Sequence, residues 1–280
     1  MRILRGLASY PPELRPCVAA LGVFDGIHLA HSRLIETAVE RARALRVPSV
    51  VCTFHPDPAS VLRPERAPVP IAPLEDNLER MAGIGADAAL VIPFTLDFSR
   101  IEAEDFVERV LVGTLGAQEV VVGFNHTFGH DARGTAALLT ELASKLGFVA
   151  RVLPPLQVRG QTVSSSAIRE ALREGDAARA AELLGHPYAI AGVIARATWD
   201  GGAANAVVNV GYRPTFGENE YWVEAYLLDF SGDLYDRTLR LAFLDRIRPE
   251  MKFPGVEQLK RQVTRDIEAA RARFSGGTFG

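Results

Sequence analysis

Two histidines three residues apart, His28 and His31, follow directly on the run Gly22-Val23-Phe24-Asp25-Gly26-Ile27. The run leaves an apolar, strand-like segment and enters a helical one. At the carboxyl edge of a parallel strand, small residues let a ligand approach the backbone, and N–H groups at a helix start attract anions. Two imidazoles at that helix end can donate to phosphate oxygens and stabilise charge developing at phosphorus. Either histidine alone reads as a capping or surface residue. The glycines, the strand-to-helix context and the pairing together favour phosphate chemistry. Asp25, just ahead of Gly26, shapes the turn.

Three further segments carry rigid or polar groups. Phe54-His55-Pro56-Asp57-Pro58 reads as a stiff loop leaving a buried strand, because each proline fixes φ and removes a donor. Gly123-Phe124-Asn125-His126-Thr127-Phe128-Gly129 reads locally as a glycine-bounded turn with Asn125 left-handed. In Val163-Ser164-Ser165-Ser166-Ala167-Ile168-Arg169, three hydroxyls precede an apolar-periodic helix. One serine suffices as a cap, so the surplus hydroxyls and Arg169 suit phosphate binding.

The elements that must position these groups form two patterns. A chain of 280 residues suits two domains. Over 1–185, short β-branched runs at 17–23, 49–54, 88–92, 119–123 and 148–152 alternate with helical stretches. That alternation predicts a parallel sheet wrapped by helices. Leu34, Ala38, Ala42 and Leu45 make one apolar stripe, and 102–115 and 135–146 read as helices on the same ground. His186-Pro187 breaks the pattern. Strand-like runs follow over 188–195, 206–211, 222–230 and 239–247, and a helix over 256–274 carries Leu259, Val263, Ile267 and Ala270 on one face. The second domain is therefore 186–280, an all-β unit closed by a helix.

A formal net charge of −3, with no basic cluster interleaved with aromatics, argues against nucleic acid as a partner. No apolar stretch reaches the roughly 20 residues that span a bilayer, so no membrane partner is expected. The only cysteines, Cys17 and Cys52, sit in strand-like runs and read as buried thiols of a reducing compartment, hence a cytoplasmic protein.

Taken in order, the four segments resemble the motifs of the bacterial FAD synthetase family, within the HxGH nucleotidyltransferase superfamily. The turn resembles G-x-F-D-G-x-H-x-G-H, with Ala30 where the family usually has glycine. The proline loop resembles F-x-P-h-P. The third segment resembles G-x-D/N-F-x-F-G, with His126 replacing an aromatic, and the fourth I-S-S-T-x-I-R, with Ser166 replacing threonine. The resemblance implies catalysis by His28, His31 and Arg169. It implies ATP contacts from Gly22, Phe24, Asp25, Gly26, Ser164, Ser165 and Ser166, and flavin contacts from Phe54, Pro56, Pro58, Asn125 and Phe128. In the implied reaction the terminal phosphate of FMN attacks the α-phosphorus of ATP. FAD forms and pyrophosphate leaves, with Mg²⁺ bridging phosphate oxygens on ligands the sequence does not identify.

The second domain resembles the riboflavin kinase module of the bifunctional members of this family. Asn209-Val210-Gly211-Tyr212-Arg213-Pro214-Thr215-Phe216, then 223–230, 233–235 and 247–253, follow in the family order, with Glu224 at the position of the catalytic base. The family's G-R-x-x-G-F-P-T-A-N segment, which holds ATP and Mg²⁺, has no counterpart. Gly192-Val193-Ile194-Ala195 runs almost directly into 198–202. The expectation is an FMN adenylyltransferase followed by a truncated kinase-like β-barrel of weak or absent kinase activity. Three other readings stand beside it: a full bifunctional enzyme whose kinase site is rebuilt from Gly201, Gly202 and Asn205, a catalytically silent flavin- or nucleotide-binding regulator, and another adenylyl- or cytidylyltransferase of the same superfamily, which the histidine turn alone allows. A barrel missing strands exposes edges, which predicts self-association through this domain.

Overall fold

The computed structural model describes residues 1–174, 176–186, 188–194, 203–212, 221–232, 237–244, 247 and 256–275. The elements run β1 (Arg2–Arg5), β2 (Cys17–Leu21), α1 (Leu29–Leu45), β3 (Ser49–His55), α2 (Pro58–Leu62), α3 (Leu74–Ile84) and β4 (Ala88–Pro93). Next come α4 (Ala103–Asp105), which continues as a π-wound segment (Phe106–Thr114), β5 (Ala117–Gly123), the short pair β6 (Thr127–Phe128) and β7 (Gly134–Thr135), α5 (Ala136–Leu146) and β8 (Val149–Leu153). The pair β9 (Gln157–Val158) and β10 (Gln161–Thr162) leads to α6 (Ser165–Glu174) and α7 (Ala177–Leu184).

Six of these strands form one sheet in the order β1-β4-β3-β2-β5-β8, every neighbouring pair parallel. The continuous apolar runs make sense once both faces are covered. Cys17, Ala19 and Leu21 of β2 point into one apolar cluster, Val18 and Ala20 into another. Helix α1 buries Leu34, Ile35, Ala38, Val39 and Ala42 against the second. From β2 the chain builds through α1 to β3 on one side, while β5 lies on the other. The carboxyl ends of β2 and β5 therefore bound the topological switch point, where open α/β sheets bind ligands.

Several expectations need correcting. Leu45 is exposed, and the stripe on α1 is widened instead by Ile35 and Val39. The sheet gains an edge strand, β1, that its charged ends conceal, since only Leu4 is buried there. Helix α3 was not anticipated, and the expected helix over 102–115 winds as π after its first turn, with Leu115 N–H bonding to Val110 O at 2.9 Å. Cys17 and Cys52 are both buried and free, as expected.

The chain divides into two units: Met1–Glu170 with Glu182–His186, and Ala171–Ala181 with Pro187–Gly280. In the second unit β11 (Tyr188–Ile194), β12 (Ala206–Tyr212), β13 (Tyr221–Leu227) and β14 (Arg237–Phe243) precede α8 (Val256–Ser275). β11 pairs antiparallel with β14 and β12 with β13, which places Glu224 opposite Asn209 in register. On α8, Ala270 is buried but Val263 is exposed, so the expected face is not uniformly covered. The motif positions 195, 198–202, 213–216, 233–235 and 248–253 lie outside the described residues. Among the described residues no helix is long and apolar enough to cross a membrane.

Candidate active site

Beyond β2 the backbone turns through three residues of positive φ: Phe24 at 53°, Gly26 at 81° and Ile27 at 40°. For a bulky and a β-branched residue this conformation costs about 1–3 kcal/mol each, so the surroundings must over-determine it. They do. Phe24 and Ile27 are fully buried. The Gly26 N–H donates to Asn77 Oδ1 at 3.0 Å, and the Gly26 carbonyl accepts from His186 Nε2 at 3.2 Å. Thr53 Oγ1 donates to Val23 O at 2.8 Å. A Cβ on Gly26 would stand 2.7 Å from Ile71 Cγ2, so no larger residue fits.

The turn delivers His28 to the N-cap of α1, where its Nδ1 accepts the His31 N–H at 3.2 Å. That bond assigns the proton of the neutral ring to Nε2. The rings of His28 and His31 stack at 3.6 Å, and Phe24 meets His31 edge-on at 5.1 Å. His31 Nδ1 is buried with no partner. Burial, helped by Arg169, pushes His28 down to about 4, while burial and the neighbouring His28 hold His31 well below its ordinary value. Both rings are neutral at pH 7, and an arriving phosphate would supply the charge that favours protonation. The helix ladder opens with Ser32 N–H to His28 O at 2.8 Å, so the N–H groups of Leu29 and Ala30 stand ahead of it. The N–H groups of Gly26 and His31 are engaged and do not count among the open ones.

Across the turn lies the start of α6. Ser164 Oγ accepts the Ala167 N–H at 3.2 Å, which is the expected cap. Ser165 Oγ lies 3.5 Å from Asp25 O, and Ser166 is exposed. Arg169 sends Nη2 to the Asp25 carboxylate at 2.5 Å and Nε to Val69 O at 2.8 Å. The same carboxylate accepts the N–H groups of Ile71 at 3.0 Å and Ala72 at 3.2 Å. Burial pushes Asp25 up, and the Ile71 N–H and Arg169 pull it back. Asp25 is thus the knot that ties the turn, the 69–72 loop and α6 together. Among the described residues no group of three His, Cys, Asp or Glu side chains could hold a metal ion.

Of the residues expected to meet a flavin, Phe54 lies on β3 beside β2, Pro56 and Pro58 follow it into α2, Asn125 lies in the turn after β5, and Phe128 lies on β6. Phe54, at the end of β3, meets Phe94 at 5.9 Å and Phe98 at 6.1 Å. Phe98 leads to Phe106 at 6.3 Å, Phe106 to Phe128 at 5.7 Å, and Phe128 to the stacked ring of His126 at 5.8 Å. Phe54 and Phe128 are therefore joined by one aromatic chain. Pro58 opens α2, capped by Asp57, whose carboxylate accepts the Ala59 N–H at 2.7 Å, and Pro56 precedes that cap. Asn125 is exposed in the turn closed by His126 N–H to Gly123 O at 3.1 Å, and it is not left-handed. Burial pushes His126 down to about 4, and its Nε2 has no partner. Sequence reasoning missed Asn77, hidden in the unanticipated α3, and His186, taken only as the residue before a helix-breaking proline.

A model of the FAD synthetase family matches residues 10–167, and one of riboflavin kinase matches residues 183–274. A bifunctional riboflavin kinase/FMN adenylyltransferase of Pseudomonas fluorescens is 34% identical over 304 residues, covering 97% of each chain. The chain belongs to the bacterial bifunctional riboflavin kinase/FMN adenylyltransferase family. Similar enzymes of Bacillus subtilis and Escherichia coli K12 are 32% and 30% identical, covering 94% and 98% of each chain respectively. A crystal structure from Streptococcus pneumoniae, described as a macrolide-efflux protein, superposes with a TM-score of 0.79 at 26% identity over 97% of this chain. Membership brings both halves of the family to this chain. The stacked histidines, the serine cap and the aromatic chain fall in the FAD synthetase half.

Proposed function

We propose that residues 1–185 transfer AMP from ATP to FMN, releasing pyrophosphate and forming FAD. The carrying observation is the stacked His28–His31 pair at the N-terminus of α1, beside the serine cap of α6 at the switch point. ATP phosphates at that helix end meet the Leu29 and Ala30 N–H groups and His28 Nε2–H. These donors strengthen as negative charge moves onto the pyrophosphate. Arg169, anchored by Asp25 and Val69, keeps its outer N–H groups for the same phosphates. Asp25 is committed to its own donors and is not free to ligate Mg²⁺, which would supply charge neutralisation on the ATP phosphates. Phe54 and Phe128 offer the apolar side of the flavin site, and Asn125 an exposed amide.

Residues 186–280 are the riboflavin kinase half in this proposal. Relatives spanning the whole chain carry both activities in their names, which favours the bifunctional reading over the expected loss of the kinase. A silent kinase remains the second reading on one specific observation. The chain has no P-T-A-N segment, and its alignments run over 304, 300 and 309 residues although it has only 280. Chromatography of flavins from purified protein with ATP and Mg²⁺ separates the cases. FAD from FMN is expected, and its absence refutes the adenylyltransferase. FMN or FAD from riboflavin, proportional to enzyme added, upholds the kinase, and no product from riboflavin upholds the silent half.

A further inference from the structure

We propose that Asn77 and His186 are positioning residues for the His28–His31 pair, acting together by clamping the two peptide units that meet at Gly26. The kinetic part of this proposal rests on the adenylyltransferase reading; the geometric part does not.

Gly26 lies between Phe24 and Ile27 in the left-handed stretch, two residues before the N-cap histidine. Its N–H goes to Asn77 Oδ1 at 3.0 Å and its carbonyl accepts from His186 Nε2 at 3.2 Å, so both polar groups of one glycine are gripped by side chains. The grips come from 51 and 160 residues away in the chain. Asn77 is buried and is itself anchored, its Nδ2 donating to Ala72 O at 3.4 Å. The bond to a carbonyl fixes the proton of a neutral His186 on Nε2.

Glycine supplies the fold with a conformation but not with rigidity, because its φ and ψ wander freely. The next two residues are Ile27, strained at positive φ, and His28, whose ring must face the His31 N–H to cap the helix. Releasing either of the two peptide units that flank the Gly26 Cα lets that strain relax by rotation, and the rotation carries His28 out of its stack. A group held 1 Å out of place can cost about 100-fold in rate. The partners Asn77 and His186 touch no reacting atom in this scheme and act by holding the backbone on either side of Gly26.

The test uses the full chain in four variants: Asn77→Leu, His186→Leu, His186→Gln, and the double leucine variant. Long-range ¹H–¹⁵N NMR of the histidine rings reads the His28 tautomer and titration directly, with His31, Arg169 and Asp25 as the titratable or charged groups around it. Steady-state FAD formation reads the consequence. In each leucine variant the His28 midpoint should rise toward its ordinary value and kcat should fall about 10-fold or more, the scale of one unsatisfied buried donor or acceptor. The KM for ATP should stay within about threefold, as for a loss confined to the transition state. His186→Gln keeps an N–H donor and should restore both readouts. Because the two bonds together fix the φ and ψ of one glycine, the double variant should lose little more than the worse single one. Leucine variants that leave His28 unmoved, or losses that multiply in the double variant, overturn the proposal. Should Asn77→Leu fail to fold, the His186→Leu and His186→Gln pair decides alone. A wild-type protein that makes no FAD sinks the adenylyltransferase reading, and the ring NMR still judges the clamp.

Discussion

His28 Nδ1 accepts the backbone N–H of His31 at 3.2 Å while the two rings stack at 3.6 Å, so one nitrogen of His28 caps the helix and only Nε2 is left for substrate. The two roles can be pulled apart. Asparagine is among the best N-caps but carries no imidazole. His28→Asn should therefore keep its melting temperature within a few degrees of the parent while FAD formation falls about 100-fold or more, the scale for losing one transition-state donor. Thermal melts and flavin chromatography on the same preparation check both halves. A comparable fall in stability and rate would mean that His28 is only a cap.

Burial holds three rings below their ordinary value of 6.5: His28 and His126 at about 4, and His31 well below. Between those values and 6.5 the unfolded chain binds the extra protons. Stability is thus full above about pH 6.5 and drains as pH falls toward 4, by up to about 1.4 kcal/mol per pH unit for each ring. Glu119, held near 2 by Arg41 and Arg151, adds its own loss only below its unfolded value of 4.5. Melting at pH 7.5, 6.5 and 5.5 should show a steepening fall, and His126→Phe should flatten it. The free-enzyme profile of kcat/KM should carry no inflection near 6.5 from the histidine pair.

What could be read from the sequence follows from where the signal was local. The strands over 17–23 and 49–54 stand out because both faces are covered and the apolar runs are unbroken. The cap at Ser164 and the histidine pair stand out because their partners lie within three residues. Asn77 and His186 do not, because their bonds to Gly26 cross 51 and 160 residues and nothing nearby marks them. Asp25 shows the same limit from another side. Its place in the motif was plain, but its three partners sit on two segments that only the fold brings together. Edge strand β1 was lost because an edge needs only one buried side chain, Leu4, to hold its place.

Arg169 spans two acceptors that a lysine cannot reach at once, the Asp25 carboxylate through Nη2 and Val69 O through Nε. A guanidinium presents that fork and an ammonium does not. Arg169→Lys should keep the pair with Asp25, release Val69, and make the 63–73 segment more open to limited proteolysis. The KM for ATP should rise about 10-fold as the remaining donors are lost to the phosphates. Unchanged proteolysis together with an unchanged KM would remove Arg169 from both the loop and the phosphate site.

Ala30 occupies the second position of α1, beside a free-standing N–H and within the histidine pair, where related motifs carry glycine. If ATP phosphates sit at this helix end as proposed, its methyl group would narrow their approach, and it also favours the helix over the unfolded chain. Ala30→Gly separates these effects by sign. Removing the methyl should lower the KM for ATP about threefold, while the loss of helix propensity costs up to about 1 kcal/mol and lowers the melting temperature by roughly 2–4 °C. Titration of ATP by calorimetry alongside thermal melts reads both. A lower melting temperature with unchanged ATP affinity would mean that the phosphates lie clear of Ala30, over the Leu29 N–H and His28 Nε2 alone.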